Sequence, residues 1–333
     1  MSRQIAVRLV CPRCRDDLDD RGEGLACTGC GAAYPVIAGI PDLRVEPDPW
    51  IGLEADRAKA LKVEEAAEGL DFEGAVRAYW RLTPSTPADR AERFVRHVLR
   101  AEARSREWLE RIGRDEHPAP GPWLDEGCGT ADLAAAVGPH VPVVGLDVAL
   151  RWLVVARRRL EEVGVPAHLV CGNAERLPFA DGSFRRILSL GMLEHCADRP
   201  AVFGEARRVL GGGGLLRFRT VNRFTLLREP HVGVRGVGFL PRSWADPYVR
   251  WRTGRGYDHH DPAGSGELRG GLRAAGFRDV RIEAARLLPT ELEELGPLGR
   301  RLGPVYEWTR ATPGARAPLR WIAPLLEGRG TAP

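Results

Sequence analysis

This chain of 333 residues has no apolar run of the roughly 18 residues that a membrane-spanning helix needs. Its first ten residues, Met1 to Val10, hold too short an apolar stretch for a secretory signal. A cytoplasmic protein without a membrane span is therefore expected. Lysine is nearly missing as well, occurring only at Lys59 and Lys62. The remaining basic residues are arginines, which with abundant Ala, Gly and Pro read as a coding bias. They are scattered among 45 acidic residues and form no long basic block, so the net charge of +4 is weak support for nucleic-acid binding. The cysteines number seven, an odd count that does not make a disulfide framework. No internal repeat is visible. What remains is a composition ordinary for a globular protein, with 44% hydrophobic and 28% charged residues. The length allows one full α/β catalytic domain plus a small accessory module.

The chain divides by pattern into residues 1–45, carrying clustered cysteines, a helical stretch at 46–120, and an α/β domain at 121–333. In the second region Glu54–Gly69 and Ala88–Ile112 read as helices, the latter placing Phe94, Val98, Trp108 and Ile112 near one face. Pro118, Pro120 and Pro122 close it as a linker. Strands are expected at Trp123–Asp125, Val141–Asp147, Ala167–Cys171, Arg186–Leu190, Gly214–Thr220, Phe277–Ala284 and Ala323–Gly328. Helices are expected at Ala131–Val137, Leu150–Val163, Ala201–Leu210 and Glu267–Ala275. Alternation of this kind predicts a mostly parallel sheet with right-handed crossovers. The aromatic, Arg- and His-rich stretch at about 222–262 is too long for a simple connection and reads as a substrate cap.

The run Leu124-Asp125-Glu126-Gly127-Cys128-Gly129-Thr130-Ala131-Asp132-Leu133-Ala134 follows a strand and opens a helix. Gly127 and Gly129 let the backbone turn tightly and approach a ligand. Asp147 closes the next strand at the spacing where an acidic side chain meets ribose hydroxyls. A dinucleotide site would want glycine at position 132. Asp132 there would repel a pyrophosphate, whereas a methionine-bearing nucleoside has no phosphate and offers an amino group. The loop therefore discriminates against NAD.

The segment resembles the class I S-adenosylmethionine-dependent methyltransferases, of the UbiE/UbiG-like kind, whose first motif reads LDxGCGTGxLA. Further motifs follow in order: Gly172-Asn173-Ala174-Glu175-Arg176-Leu177-Pro178-Phe179, then Leu193-Glu194-His195, then Glu205–Leu210 with a glycine-rich turn at 211–214. The resemblance spans about 121–285 and implies a Rossmann-like seven-stranded sheet. It implies that Asp125, Gly127 and Gly129 lie under the methionine moiety and Asp147 takes the ribose hydroxyls. Asn173 then accepts from the adenine amino group and Ala174 backs the ring. Glu126, Val148, Glu175 and Leu190 complete the implied cofactor set. The chain departs from the pattern at Ala131, where a third glycine is usual and slight crowding is expected, at Asn173 in place of Asp, and at Glu126.

Cys11-Pro12-Arg13-Cys14 and Cys27-Thr28-Gly29-Cys30 are two CxxC knuckles separated by twelve residues. Four thiolates so placed suit tetrahedral Zn²⁺, and a closed four-cysteine shell is structural. Some 45 residues bury too little apolar surface to fold unaided. The following Tyr34–Leu43 resembles the tail of Trm112-like zinc domains, some of which partner methyltransferases. Asp16, Asp17, Asp19 and Asp20 between the knuckles disfavour a phosphate contact, so a scaffold packed on the catalytic domain is the expectation.

Methyl transfer from sulfonium is an in-line displacement that needs positioning, and a base when the acceptor carries a proton. His195 is the first candidate, with Glu194, His231 and His259 beside it; His195 reads equally as a helix-start residue. Glu194-His195 echoes a metal-assisted quinone O-methyltransferase subgroup, but the earlier acidic ligand falls on Gly191, so no catalytic metal is expected. His259-His260 could bind metal, though adjacent residues rarely ligate one ion. Trp244 and Trp251 are expected in the core, and Cys128, Cys171 and Cys196 as small buried residues. The expected function is methylation of a small-molecule acceptor, a secondary metabolite or a lipid or glycan precursor, at oxygen or nitrogen. Two readings stay open: an RNA base methyltransferase guided by the ribbon, and a non-catalytic regulator that binds the cofactor.

Overall fold

The computed structural model describes residues 7–113, 121–166, 168–294 and 297–333. The expectations placed on Met1 to Ala6, Pro118, Pro120 and Ala167 lie outside these. Two compact units divide the chain, Met1–Leu188 with Arg208–Gly214, and Ser189–Arg207 with Leu215–Pro333.

The first unit begins with four short antiparallel strands, β1 (Leu18–Asp20), β2 (Gly24–Cys27), β3 (Ala33–Ile37) and β4 (Ile40–Pro41). The last two join through Ala38 and Gly39, both at positive φ, as a tight hairpin of matching twist requires. Helices α1 (Leu53–Ala66), α2 (Phe72–Arg81), α3 (Ala88–Leu99) and α4 (Ala101–Gly113) follow. Asp71 starts α2 by accepting from the Gly74 N–H at 2.8 Å. The stretch read as one helix over Ala88–Ile112 is two, because the chain turns at Arg100. The open carbonyls ending α3 find side-chain donors instead, Arg104 Nη2 on His97 O at 2.8 Å and Arg159 Nη2 on Val98 O at 2.9 Å. Trp108 and Ile112 are buried, whereas Phe94 is 37% exposed and stacks on Trp80.

Then come β5 (Trp123–Glu126), α5 (Asp132–Val137), β6 (Val143–Asp147), α6 (Leu150–Glu162), β7 (Leu169–Cys171) and β8 (Phe184–Leu190). β5 pairs in parallel with β6 and β8, and β6 with β7. Strands covered on both faces read as unbroken apolar runs, and every residue of β5 is buried. The chain leaving the knuckles lies along β7, where Leu43 N–H donates to Cys171 O at 2.8 Å, and the chain entering them is tied beyond β7, where Val10 N–H donates to Pro178 O at 3.0 Å. An otherwise bare sheet edge is thereby closed.

After α7 (Arg199–Val209) and β9 (Leu210–Val221), the second unit holds α8 (Arg242–Thr253), α9 (Ser265–Ala274), β10 (Arg278–Ala284), α10 (Pro289–Glu294), α11 (Pro297–Ala311), α12 (Arg316–Ile322) and β11 (Leu325–Thr331). β11 runs antiparallel to both β9 and β10. Gly328 stands opposite Phe218 in that ladder, where a Cβ would meet the ring at 2.0 Å. Hydrogen-bonded strand order is β10-β11-β9-β8-β5-β6-β7, the seven-stranded α/β sheet that the resemblance implies. Most strand ends shift by one or two residues, but β9 begins at Leu210 and runs through the stretch expected as a glycine-rich turn, and the final strand runs to Thr331 rather than Gly328. Three helices between Pro289 and Ile322 had no strong sequence pattern. Within 222–262, Val234, Val237, Val249 and Tyr257 make a small apolar core of their own. Trp244 and Trp251 are not in it: they are 67% and 75% exposed, correcting the expectation that they are core residues.

Candidate cofactor site and metal clusters

Beyond β5 the backbone turns through Gly127, Gly129 and Ala131, all at positive φ. Gly127 and Cys128 both donate to Leu146 O, at 2.8 and 2.9 Å, and Gly129 N–H donates to Asp147 Oδ2 at 2.8 Å. The loop is thus folded against the end of β6. No atom lies within 4 Å of where a Gly129 Cβ would stand, so the loop presents bare backbone beside open space. Ala131 occupies a left-handed conformation (φ 56°, ψ 36°) that glycine adopts freely and alanine does not.

Three carboxylates converge on this loop. Burial raises the Asp125 pKa well above the usual carboxylate range, the charge of Asp132 adds to it, and the Ala134 N–H opposes it. Asp147 is raised by burial against donation from Ala149 and Gly129 N–H. Each Asp147 oxygen accepts one of these bonds and retains a lone pair for a further donor. Asp132 turns towards Ser105 of α4, whose Oγ donates to it at 2.6 Å. Its charge still acts on Asp125, so the site repels anions and favours a cation. Bare glycine backbone, retained acceptors and negative charge fit an adenosyl sulfonium that also carries an ammonium group; the residues that would hold it are Asp125, Gly127, Gly129 and Asp147.

Asn173 has a different task from the one the resemblance implies. Its Oδ1 accepts from Val45 and Glu46 N–H at 2.9 and 3.2 Å, and its Nδ2 donates to Glu46 O at 3.2 Å. The amide is spent on holding the chain that enters α1, a correction to its reading as the adenine contact. Ala174 is buried at the start of a single 3-10 turn, with Glu175 half-buried behind it. Glu126 is buried at the end of β5, Val148 is half-buried after β6, and Leu190 closes β8 half-buried in the second unit.

A buried ionic network under this loop escaped sequence reading. Arg44 pairs with Asp42 at 2.7 Å and Asp56 at 2.6 Å, and donates to Val148 O at 2.9 Å. Arg151 pairs with Asp48 at 2.8 Å and Asp56 at 2.7 Å, and Leu150 N–H donates to Asp56 at 3.0 Å. One carboxylate therefore ties the tail of the N-terminal module and α1 to the start of α6. The available signal was α1 itself, whose buried positions Asp56, Ala60 and Val63 recur at i, i+4 and i+7.

Cys11, Cys14, Cys27 and Cys30 meet with every sulfur within 4.8 Å of the others. Cys11 Sγ lies 3.7 Å from Cys30 Sγ, and Cys14 Sγ 3.3 Å from Cys27 Sγ. Tetrahedral Zn²⁺ with Zn–S of about 2.3 Å separates its sulfurs by about 3.8 Å, so the knuckles are close to that shape. Burial raises the Cys11 pKa, but the hydrogen bond shared with Tyr34 Oη at 3.2 Å and nearby backbone N–H groups bring it down to about 6.

The residues expected to act on the acceptor all fall in the second unit. Glu194 is buried; Thr220 Oγ1 donates to its carboxylate at 2.7 Å, and Asp261 N–H to its carbonyl at 2.7 Å. His195 and His231 come together, with ring centres 4.9 Å apart. His259 stands outside this cluster at φ 63°, and His260 enters instead, 4.4 Å from His231 and 5.1 Å from His195. Burial disfavours a charged His231, yet Glu229, 2.5 Å from its Nδ1, raises its pKa above the usual value. Burial, and then the charge of His231, lower His260 to about 4.

Residues 124–218 match the family model described as "Methyltransferase domain". Demethylmenaquinone methyltransferase of Geobacillus stearothermophilus is 31% identical over 173 residues, which are 48% of this chain and 72% of that protein. The chain belongs to the S-adenosylmethionine-dependent methyltransferases. Malonyl-[acyl-carrier protein] O-methyltransferase of Methylovorus sp. (strain MP688) is 36% identical over 137 residues, 39% of this chain. The chain spans only 46% of that relative's length. Among solved structures, phosphoethanolamine N-methyltransferase 2 of Haemonchus contortus in complex with S-adenosyl-L-methionine is 18% identical with a TM-score of 0.45 over 68% of this chain and 51% of that one.

Proposed function

We propose that this methyltransferase moves the methyl group of S-adenosylmethionine to a small-molecule acceptor at oxygen or nitrogen. The observation that carries the cofactor half of the reading is the loop from Asp125 to Asp132. It offers bare glycine backbone, carboxylate acceptors and the negative charge of Asp132, a combination hostile to a pyrophosphate and suited to a sulfonium with an ammonium group. The cofactor supplies an electrophilic methyl group when bound. Asp125 holds its amino group, Asp147 accepts from its ribose, and Gly127 and Gly129 allow close approach.

The acceptor half rests on the second unit and on the kinds of relative. The segment 222–262 supplies acceptor-contacting side chains, with Glu194, His195, His231 and His260 as the groups that orient a hydroxyl or amine. The two curated relatives are named for a demethylmenaquinone and for a malonyl group on acyl-carrier protein, neither of them a nucleic acid. The four knuckle cysteines hold one structural Zn²⁺ that fixes the N-terminal module on the sheet edge. Incubation with labelled S-adenosylmethionine and fractionated cell extract tests the acceptor. Label in the small-molecule fraction supports the reading, and label confined to RNA overturns it.

A further inference from the structure

The geometry points to a second metal site, for a divalent transition metal, in which His195, His231 and His260 each supply one ring nitrogen. The three residues offer ligand atoms that all lie within 4.8 Å of one another. An imidazole nitrogen about 2.1 Å from a metal puts the ring centre roughly 3.2 Å from it, so three such rings at facial or tetrahedral angles have centres about 4.5–5.2 Å apart. The observed separations are 4.4, 4.9 and 5.1 Å. The rings are mutually tilted by 50–85°, an arrangement that three ligands of one ion can adopt.

Outer partners set two of the three ligands. Histidines that bind metal pass their other N–H to a carboxylate or carbonyl, which fixes ring orientation. His231 Nδ1 faces Glu229 Oε1 at 2.5 Å, and His260 Nδ1 faces Asp258 O at 2.7 Å, so both rings turn Nε2 inward. Glu229 is itself fixed, accepting from His231 and Val232 N–H at 2.9 Å each. Tyr257 stacks on His260 at 5.5 Å with an interplanar angle of 8° and walls one side.

Three histidine ligands, two of them oriented by outer partners, would leave a coordination position for an oxygen ligand, water or an acceptor hydroxyl, whose proton the metal would make easier to lose. That use on an acceptor rests on the methyl-transfer reading above; the metal site does not. Elemental analysis of the full chain, dialysed after loading with Zn²⁺, should return about two metals per chain, one of them at the cysteines. His231→Ala and His260→Ala should each return about one. Glu229→Gln should weaken the histidine site by about 10–100-fold in competition with a chelator. In the Co²⁺-loaded protein these substitutions should remove bands other than the thiolate charge-transfer bands of the cysteine site. One metal per wild-type chain overturns the site without recourse to any variant. Two metals without heat on adding S-adenosylmethionine would keep the site and sink the methyl-transfer reading instead.

Discussion

The four cysteines and the three histidines are built in opposite ways. The cysteines come from two turns close in sequence, Cys11–Cys14 and Cys27–Cys30, and they bring four sulfurs within 4.8 Å of one another. The histidines come from a 3-10 turn at His195 and from two distant points of the 222–262 segment, and they number three, which on one ion would leave room for a further ligand. A cluster made from local turns holds a small module together; one assembled by the fold is free to serve a ligand.

Metal removal should break this comparison open. Structural zinc supports small metal-dependent folds by about 10–16 kcal/mol of apparent binding free energy. Cys27→Ser should therefore abolish hydrogen-exchange protection over residues 8–41 while β5 and β6 stay protected. His260→Ala should change global stability by about 1 kcal/mol or less in the metal-free chain, since the ring is half-buried and lies outside the apolar core. Equal losses of protection from the two substitutions would erase the distinction.

The ionic network sharpens the same contrast by showing what the cysteine module is fastened to. Asp56→Ala leaves Arg44 and Arg151 buried with one carboxylate partner fewer, which should cost about 3–5 kcal/mol. Urea unfolding measures this; a loss under 1 kcal/mol would mean the network is solvated and incidental.

How much of this was readable in advance follows the same division. Knuckles, glycine turn and parallel strands are local patterns, so CxxC spacing, the run from Asp125 and buried apolar stretches such as Val143–Asp147 carried them. Asp56 was not readable as an anchor because acidic residues on a charged helix are ordinarily solvated. His260 was hidden behind His259, since only the backbone decides which of two adjacent side chains turns inward. Asn173 was misassigned because a motif reports position, while the tail of the N-terminal module decided what its amide bonds. Trp244 and Trp251 were misplaced because α8 turns them outwards.

Within the glycine loop the expected effects are smaller. Burial and neighbouring negative charge raise the Asp125 pKa, so binding a cation there favours release of a proton. Affinity for S-adenosylmethionine should then rise with pH, by at most about tenfold per unit, until the raised pKa is passed. Asp125→Asn should bind more weakly and without that slope, and a slope retained in the variant would move the proton elsewhere. Smaller again is Ala131→Gly. Relief of a left-handed alanine, about 1–2 kcal/mol, is offset by the loss of a buried methyl group worth about 0.8 kcal/mol. A net gain of at most about 1 kcal/mol should appear in thermal unfolding.

The most direct test of the account is calorimetric titration of the zinc-loaded chain with S-adenosylmethionine and with NAD. Saturable heat with S-adenosylmethionine, stronger at higher pH, and none with NAD is the predicted result. No heat with S-adenosylmethionine at millimolar ligand, or heat with NAD instead, would contradict the assignment of the acidic glycine loop as the cofactor site.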